Sequence, residues 1–180
     1  MSEKTVQLHD LSFEPMIKEK EILAEISKLA TQIKEKHANK RPLFLGVLNG
    51  AYVFAADLVR ACDFECEISF IKLSSYRGTQ STDNLTTLIG LNESVEGRAV
   101  IIVEDIIDSG KTLSKFIPEL MALKPASVEV AALLVKPDSI EYPIDIHYQG
   151  FEIPPAFVVG YGLDYDGLGR NLRDIYQLKA

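Results

Sequence analysis

Cysteine, histidine and long apolar runs are all scarce in this chain of 180 residues. The two cysteines, Cys62 and Cys66, lack the two-residue gap of a zinc knuckle, and no second Cys or His pair follows them. We expect both to be buried small hydrophobic residues in a reducing compartment. The three histidines, His9, His37 and His147, are scattered along the sequence, and we assign none of them to a metal.

Targeting and membrane-spanning segments are also missing from the sequence. The N-terminal residues are polar and lack the apolar stretch of a secretion signal. No apolar run approaches the roughly 18–20 residues that span a bilayer. We therefore expect a cytoplasmic protein with no membrane partner.

Positive charge is limited, since 19 Lys and Arg residues face 26 Asp and Glu residues, for a net charge of −7. A protein that binds nucleic acid usually carries a basic face, so we expect no nucleic-acid partner. An anionic phosphate ligand would need local help from helix N-termini, Lys, Arg or a metal ion. The hydrophobic fraction of 47% is enough for a core, and the length suits one domain with a small appended lobe.

Strands and helices alternate along the middle of the sequence. The predicted strands are residues 43–48, 64–73, 86–91, 98–103, 127–135 and 157–161, and the predicted helices are 15–36, 51–62 and 113–123, the last kinked by Pro118. The continuous apolar runs are typical of strands that are buried on both faces. Strand, helix and strand within about thirty residues form a βαβ unit, which implies a parallel sheet flanked by helices, an α/β fold. Residues 74–84 are polar and predict a long loop of the kind that often serves as a lid.

The turn after residues 98–103 has the features of a phosphate cradle. The segment is Asp108-Ser109-Gly110-Lys111-Thr112, between a buried strand and a helix. Gly110 permits a positive φ or a close backbone approach, and the free N–H groups of the following helix face the same point. A Walker loop would need glycine five positions before Gly110, where this chain has Asp105, so the sequence argues against a P-loop nucleoside triphosphatase.

Two adjacent acids, Glu104 and Asp105, precede the cradle at the predicted end of the strand, and Asp108 follows three residues later. Neighbouring carboxylates repel each other unless Mg²⁺ or sugar hydroxyls compensate for the charge. A solvated acidic turn, or Asp108 as a helix cap, is the alternative. Beside a phosphate cradle, the acids favour a ribose phosphate ligand.

Residues 103–113 (VEDIIDSGKTL) closely resemble the phosphoribosyl-diphosphate (PRPP) signature of type I phosphoribosyltransferases, and more narrowly that of hypoxanthine-guanine phosphoribosyltransferases. Four other segments resemble the same family in the same order. They are Leu48-Asn49-Gly50, Ser74-Ser75-Tyr76, residues 133–136, and residues 157–165 followed by Arg170. The resemblance covers about residues 43–173.

This resemblance implies a Rossmann-like core at about residues 40–138 and a small hood lobe from about residues 1–39 and 139–180. It also implies transfer of 5-phosphoribosyl from PRPP to N9 of hypoxanthine, and of guanine, with release of diphosphate and IMP or GMP. Mg²⁺ would be the cofactor, and a homodimer or homotetramer the assembly. Xanthine would be the least favoured base.

The resemblance assigns the ribose phosphate to the acidic strand end and the cradle. Glu104 and Asp105 would hold the ribose hydroxyls, directly or through Mg²⁺. The residues implied for the 5′-phosphate are Asp108, Ser109, Gly110, Lys111 and Thr112. Asp108 would also lie near N7 of the purine and act as the general base or acid.

The base and diphosphate sites follow by the same resemblance. Lys136 would donate to O6 of the purine, Phe157 would stack on the ring, and Val158 would bind it through backbone atoms. Asp164 would help to bind Mg²⁺ near the base. From their residue types alone, a solvated lysine at Lys136 and a core aromatic at Phe157 are the alternatives.

Asn49, Gly50 and Arg170 would bind the diphosphate, while Ser75 and Tyr76 would belong to a lid that excludes water. Many relatives carry a basic residue where this chain has Asn49, so diphosphate binding here would depend on backbone N–H groups and metal. Two other functions remain open. One is a PRPP-sensing regulator of the same fold that catalyses nothing, and the other is a receiver-type signalling module.

Overall fold

A computed structural model describes residues 5–75, 85–91 and 93–179. Its strands are β1 (Val6–Leu8), β2 (Leu11–Ile17), β3 (Leu43–Leu48), β4 (Glu67–Ser75), β5 (Leu85–Ile89), β6 (Ala99–Ile107), β7 (Ser127–Val135), β8 (Tyr148–Glu152), β9 (Val158–Val159) and β10 (Ile175–Leu178). Its helices are α1 (Glu19–His37), α2 (Tyr52–Ala61) and α3 (Lys111–Ala122), followed by a short 3₁₀ turn at Pro137–Ser139.

The larger sheet has six strands in the order β5-β4-β3-β6-β7-β8. Strands β4, β3, β6, β7 and β8 are parallel, and β5 runs antiparallel to β4 at the edge. The apolar runs of β3, β6 and β7 lie at its centre, where both faces of a strand are buried. The predicted α/β fold with a parallel sheet is therefore confirmed.

Helices cover both faces of this sheet. On one face α1 and α2 pack over residues such as Phe44 and Ile101, and on the other face α3 packs over residues such as Leu45 and Ile102. Successive strand residues point to opposite faces, so each apolar run supplies both halves of the core. Full burial of one such side chain stabilises the fold by about 1.5–3 kcal/mol.

The smaller sheet has four antiparallel strands in the order β1-β2-β10-β9, which bring the two ends of the chain together. Two other segments near the ends of the chain contact the larger sheet and its helices instead. Helix α1 contacts α2, and β8 pairs with β7. The division into core and hood near residues 39 and 139 remains a prediction.

The predicted helix at residues 15–36 begins too early. Residues up to Ile17 belong to β2, in which the alternating residues Phe13 and Ile17 are buried. Helix α1 begins only after Lys18, whose backbone N–H donates to the Glu21 carboxylate at 3.0 Å as part of a capping box. The apolar residues Ile22, Ile26, Leu29 and Ile33 recur at three- and four-residue steps, and the prediction extended this helical pattern back to Ile17, which is buried as a strand residue.

Other boundaries shift by smaller amounts. The helices predicted at 51–62 and 113–123 correspond to α2 and α3, and Pro118 lies inside α3. The strand predicted at 157–161 is shorter, and it belongs to the smaller sheet as β9. Strands β1, β2, β8 and β10 were not predicted.

Both cysteines are free, but they are half-buried at the edge of the core, so the expected full burial is wrong. Partial burial raises the pKa of the Cys62 thiol to about 12. Within the described ranges, no helix combines the length and the apolar character needed to cross a bilayer.

Candidate active site

The two adjacent acids lie inside a strand, not at its end as predicted. Strand β6 continues to Ile107, so Glu104 and Asp105 occupy successive strand positions. Such positions face opposite sides of a sheet. Accordingly, Glu104 lines one cavity and Asp105 lines another, so the two carboxylates do not face the same cavity.

The first cavity, here called the turn cavity, has a volume of about 110 Å³ and follows the turn from β6 to α3. Its lining residues are Glu104, Ile106, Ile107, Asp108, Ser109, Gly110, Lys111, Thr112 and Leu113. All five predicted cradle residues are therefore brought together. The backbone N–H groups in the first turn of α3 have no carbonyl partner within the helix and favour an anion at this point.

The shape of this turn depends on Gly110 and on a neighbouring segment. Gly110 has a φ of 77°, and a Cβ atom at this position would collide with the carbonyl oxygen of Tyr142. The carbonyl oxygen of Ser109 accepts the backbone N–H groups of Glu141 and Tyr142 at 3.1 and 3.0 Å. The Ser109 hydroxyl oxygen accepts the Lys111 N–H at 3.3 Å. A larger residue at position 110 would displace the backbone that forms the cavity wall.

The second cavity, here called the central cavity, has a volume of about 260 Å³. Its lining residues are Gly50, Asp105, Ile106, Asp108, Lys136, Phe157, Val158, Leu163, Asp164 and Arg170. These come from the ends of β3, β6 and β7 and from the C-terminal segment. Asp108 and Ile106 line both cavities, so the two cavities adjoin at these residues.

An ion pair joins Asp108 to Lys136 at the boundary of the central cavity. Lys136 Nζ lies 2.7 Å from Asp108 Oδ2, with the lysine side chain 10% exposed and the aspartate 56% exposed. Lys136 follows the end of β7, and its backbone N–H donates to the carbonyl oxygen of Ile107 at 2.9 Å. The solvated-lysine alternative is therefore wrong, and a donor and an acceptor are presented side by side to the cavity.

Arg170, which also lines the central cavity, is held by two partners. Its Nη2 lies 2.6 Å from Asp164 Oδ1, and its Nη1 donates to the carbonyl oxygen of Gly162 at 2.6 Å. The other oxygen of Asp164 accepts the backbone N–H of Gly167 at 2.7 Å. Because both oxygens of Asp164 already have partners, this carboxylate is better suited to an ion that is reached through water than to direct ligation.

Burial strongly perturbs the two acids on β6. The pKa of Glu104 is raised well above its ordinary value by burial and by the neighbouring Asp105 carboxylate. Burial also raises the pKa of Asp105 to about 6, although the Ile106 N–H and the Arg170 charge act in the opposite direction. Among the described residues, the buried Oε2 atom of Glu104 has no hydrogen-bond partner.

A magnesium ion fits this donor set only together with a substrate. In the part of the chain that the structure describes, no three His, Cys, Asp or Glu side chains converge as a metal site. Mg²⁺ usually keeps several waters and binds through one or two carboxylates plus substrate phosphates. The unpartnered oxygen of Glu104, in the turn cavity, and the Asp105 carboxylate, in the central cavity, are each a ligand of that kind for an ion on its own face.

Phe157 presents an aromatic face to the central cavity. Its side chain is 43% exposed, so it is not the core residue that was the alternative. Phe13 and Tyr165 support it from the other side, with ring centroids at 6.0 and 5.7 Å. Val158 is buried in β9 and pairs with Gln177 of β10, which fixes the backbone beside the cavity.

Some of the predicted diphosphate and lid residues lie at the central cavity and others do not. Gly50 lines the central cavity, and a side chain there would collide with the Asp105 carboxylate, whereas Asn49 is exposed. A cis peptide bond joins Leu48 to Asn49. Tyr76 and the side chain of Ser75 lie outside the described residues, so the lid remains a prediction.

One contact near the site joins residues that the sequence does not pair. The hydroxyl of Tyr161 donates to Asp57 Oδ2 at 2.5 Å, across 104 positions of sequence. The sequence predicts a strand at residues 157–161, which includes Tyr161, and a helix at residues 51–62, which includes Asp57. No spacing pattern in the sequence could have paired them.

Comparison with known proteins identifies the family of this chain. Residues 16–166 match the phosphoribosyl transferase domain. This chain belongs to the phosphoribosyltransferase family. The resemblance inferred from residues 103–113 is thereby confirmed, and a receiver-type signalling module is excluded.

Curated relatives of this phosphoribosyltransferase align over most of their length. The chain is 41% identical to the hypoxanthine-guanine phosphoribosyltransferase of Bacillus subtilis (strain 168), with 95% of each chain covered. It is 40% identical to the hypoxanthine-guanine-xanthine phosphoribosyltransferase of Tritrichomonas foetus, over 88% of this chain and 87% of that protein. The crystal structure of a hypoxanthine phosphoribosyltransferase from Staphylococcus aureus superposes with a TM-score of 0.87 at 37% identity, covering 92% of this chain and 91% of the other.

Proposed function

We propose that this phosphoribosyltransferase transfers the 5-phosphoribosyl group of PRPP to N9 of hypoxanthine, and also of guanine, with release of diphosphate. The observation that carries the proposal is the meeting of two cavities at Asp108. One is small and faces the N-terminus of α3, and the other contains an aromatic face, a lysine and an arginine. The enzymes named among its relatives act on these bases.

In this proposal the 5-phosphate of PRPP binds in the turn cavity. The first N–H groups of α3 hold its oxygens, and the hydroxyl groups of Ser109 and Thr112 are within the same wall. Glu104 in the turn cavity and Asp105 in the central cavity then approach the ribose from opposite faces of β6. Phosphate binding by backbone N–H groups explains how an acidic protein with a net charge of −7 can hold a multiply charged anion.

The purine binds in the central cavity, where it stacks on Phe157. Atoms O6 and N7 lie on the same edge of a purine. The neighbouring Lys136 and Asp108 can therefore contact both atoms at once, with Lys136 donating to O6 and Asp108 accepting the N7 proton. As N9 attacks the anomeric carbon, the bond to the diphosphate oxygen breaks and its electron pair leaves with the diphosphate.

Charge on the leaving diphosphate is stabilised from the Gly50 and Arg170 side of the central cavity. The planar guanidinium of Arg170 is held in place by Asp164 and Gly162 and suits phosphate oxygens. Bound Mg²⁺ would supply further charge stabilisation at the diphosphate and the ribose. Glu104, Asp105 and, through water, Asp164 are the residues that would hold it.

Base preference, assembly and location complete the proposal. Hypoxanthine is the preferred base, guanine is accepted, and xanthine is the poorest, although one relative is named for all three bases. We propose a homodimer or homotetramer that acts in the cytoplasm on small molecules and binds no nucleic acid. The net charge of −7 supports the last point.

A turnover assay with PRPP and each of the three bases, with and without Mg²⁺, tests the proposal. We expect Mg²⁺-dependent IMP formation from hypoxanthine. If the chain binds PRPP yet transfers nothing to any base, it is the non-catalytic regulator that the sequence left open. Radiolabelled hypoxanthine makes even slow transfer visible.

The variant Asp108→Asn tests the proton transfer. We expect nucleotide binding to persist while turnover falls by about 10²–10⁴-fold, the typical contribution of general acid–base catalysis. The isosteric amide keeps the size of the side chain but cannot accept the N7 proton in the same way. Unchanged turnover in this variant would remove Asp108 from the acid–base role.

A further inference from the structure

A buried tyrosine links helix α2 to the C-terminal segment that carries Arg170. Tyr161 is 4% exposed, and its hydroxyl donates to Asp57 Oδ2 at 2.5 Å. Asp57 lies in the middle of α2, the helix that follows the turn containing Gly50. Burial and the neighbouring Asp57 carboxylate raise the pKa of Tyr161, so the hydroxyl keeps its proton and remains a donor at neutral pH.

The Tyr161 end of this link adjoins both sides of the region proposed to bind diphosphate. Gly162 follows Tyr161, and a Cβ atom on Gly162 would collide with the carbonyl oxygen of Gly50. The carbonyl oxygen of Gly162 in turn accepts a hydrogen bond from Arg170 Nη1 at 2.6 Å. A continuous set of contacts therefore runs from Gly50 through Gly162 to Arg170, and Tyr161 ties it to Asp57.

The backbone at Tyr161 needs such support. Its φ of 51° is left-handed, a conformation that costs free energy in any residue with a Cβ atom. Gly160 and Gly162 on either side have φ values of 96° and 102°. The backbone N–H of Tyr161 donates to the carbonyl oxygen of Leu172, its ring packs in the hydrophobic core, and its hydroxyl reaches Asp57.

We propose that Tyr161 and Asp57 are positioning residues, whose hydrogen bond sets the separation of Gly50 and Arg170 and so the affinity for diphosphate. This inference rests on the proposed function, because it assigns diphosphate to the Gly50 and Arg170 side of the central cavity. Neither residue contacts the substrate in this view. Loss of the bond lets residues 161–170 move relative to α2. Lys136 stays in place after β7, and Phe157 is held separately because its carbonyl oxygen accepts the Leu178 N–H of β10.

A matched control exists in the same chain. Tyr148 is also buried, and its hydroxyl donates to a carboxylate, Glu129 Oε2, at 2.6 Å. Neither of these residues lines the central cavity or the turn cavity. Tyr148→Phe therefore removes the same kind of hydrogen bond from a place where only folding stability is affected.

The test measures KM values in both directions for the wild type, Tyr161→Phe and Tyr148→Phe. In Tyr161→Phe we expect KM for PRPP, and KM for diphosphate in the reverse reaction, to rise about tenfold, equivalent to about 1.4 kcal/mol. We expect KM for hypoxanthine and for IMP to change by less than about twofold, and kcat by less than about threefold, because transition-state contacts to the base are kept. Tyr148→Phe should leave all these values within about twofold of the wild type while lowering the melting temperature.

Three further variants extend the test, and two of them, Asp57→Asn and Asp57→Ala, keep the inference falsifiable if Tyr161→Phe folds poorly. Asp57→Asn retains an acceptor oxygen, so KM for diphosphate should rise by only about threefold, consistent with a weaker neutral hydrogen bond. The double variant Tyr161→Phe/Asp57→Ala should bind diphosphate no worse than Asp57→Ala alone. Asp57→Ala loses the Arg60 ion pair as well as the Tyr161 hydrogen bond, so adding Tyr161→Phe removes nothing further.

Three results would overturn the inference. They are an unchanged KM for diphosphate in both Tyr161→Phe and Asp57→Ala, an equal rise in every KM, or the same rise in Tyr148→Phe. Failure of the proposed function looks different, since the wild-type protein would then form no IMP from PRPP and hypoxanthine.

Discussion

Strands β6 and β7 are hydrogen-bonded neighbours, and each withdraws carboxylates from solvent, yet the surroundings of these carboxylates differ. Glu129 on β7 is 3% exposed and has three partners. Lys36 Nζ lies at 2.7 Å, His37 Nε2 at 2.9 Å and the Tyr148 hydroxyl at 2.6 Å. Burial alone would raise the pKa of Glu129, but these partners outweigh it and hold the pKa at about 2.

The acids on β6 have the opposite balance. The pKa of Glu104 lies well above its ordinary value, and that of Asp105 is about 6, because burial outweighs the few contacts that favour the charged forms. The buried Oε2 of Glu104 is unpartnered within the described ranges. The difference separates two uses of a buried acid. Glu129 is satisfied by the protein and stabilises the fold. Asp105 accepts the Ile106 N–H, and in the proposed function a metal ion and a ribose would supply the remaining partners of the β6 acids.

The largest effect that would sharpen this contrast is expected from Asp105→Asn. We expect kcat/KM to fall about 200-fold, or about 3 kcal/mol, because a charge facing the diphosphate side of the cavity is lost. The free energy of unfolding should stay the same or increase, because Asp105 forms no ion pair with a Lys, Arg or His side chain among the described residues. Enzyme kinetics and urea unfolding on the same preparation check both parts. A fall in stability with intact kinetics would reverse the assignment.

Glu129→Gln should show the opposite pattern. We expect the free energy of unfolding to fall by about 2 kcal/mol, since a buried carboxylate with three charged or hydroxyl donors is replaced by a neutral amide. The value of kcat/KM per folded molecule should stay within about twofold of the wild type, because the site lies far along β7 from Lys136. Urea unfolding monitored by circular dichroism gives the first value. A large kinetic defect in folded protein would break the comparison.

The acid dependence of stability should come from Glu129. Its pKa is about 2 in the folded chain and has an ordinary value of 4.5, so its stabilisation is present above about pH 4.5 and is lost as the pH falls toward 2. The gap in unfolding free energy between the wild type and Glu129→Gln should therefore narrow by roughly 1 to 2 kcal/mol between pH 5 and pH 3. Unfolding curves at four or five pH values measure the gap. A constant gap would show that the charge of Glu129 is not the source.

The smallest expected effect is a difference in stability between variants of two Glu129 partners, Lys36 and His37. Lys36 is 52% exposed, so Lys36→Met should cost only about 0.5 kcal/mol, as expected for a solvent-screened ion pair. His37 is 1% exposed, and its Nε2 must carry the donated hydrogen, because an ionised carboxylate only accepts. His37→Phe should therefore cost more than Lys36→Met. Equal losses for the two variants would contradict the idea that burial decides the strength of these contacts.

The sequence predicted the parts of the fold that local patterns encode. Strand β7 was predicted at its observed bounds, and β3 and β6 were found, because their apolar runs are buried on both faces wherever they sit in the sheet. Strands β2 and β10 were missed because their pairing joins Ile17 to Ile175, a contact between the two ends of the chain. Pro15 within β2 also gave a misleading helix start.

The candidate site was predictable to a similar degree. The segment from Glu104 to Thr112 carries its chemistry in consecutive residues, so motif and resemblance located it. The opposite orientation of Glu104 and Asp105 depended on β6 extending to Ile107, which apolar periodicity did not reveal. The contact of Gly50 with Asp105 and the bond from Tyr161 to Asp57 join distant positions, and only the folded chain brings them together.

Melting of Glu104→Gln with and without Mg²⁺ and PRPP tests the central claim most directly. If the β6 acids are unsatisfied until a ligand arrives, the ligand-free variant should melt at the same temperature as the wild type or about 3 °C higher, equivalent to about 1 kcal/mol. It should also lose most of the rise in melting temperature that Mg²⁺ and PRPP together give the wild type. A ligand-free variant that melts well below the wild type, as Glu129→Gln should, and keeps the full ligand-induced rise would contradict the account.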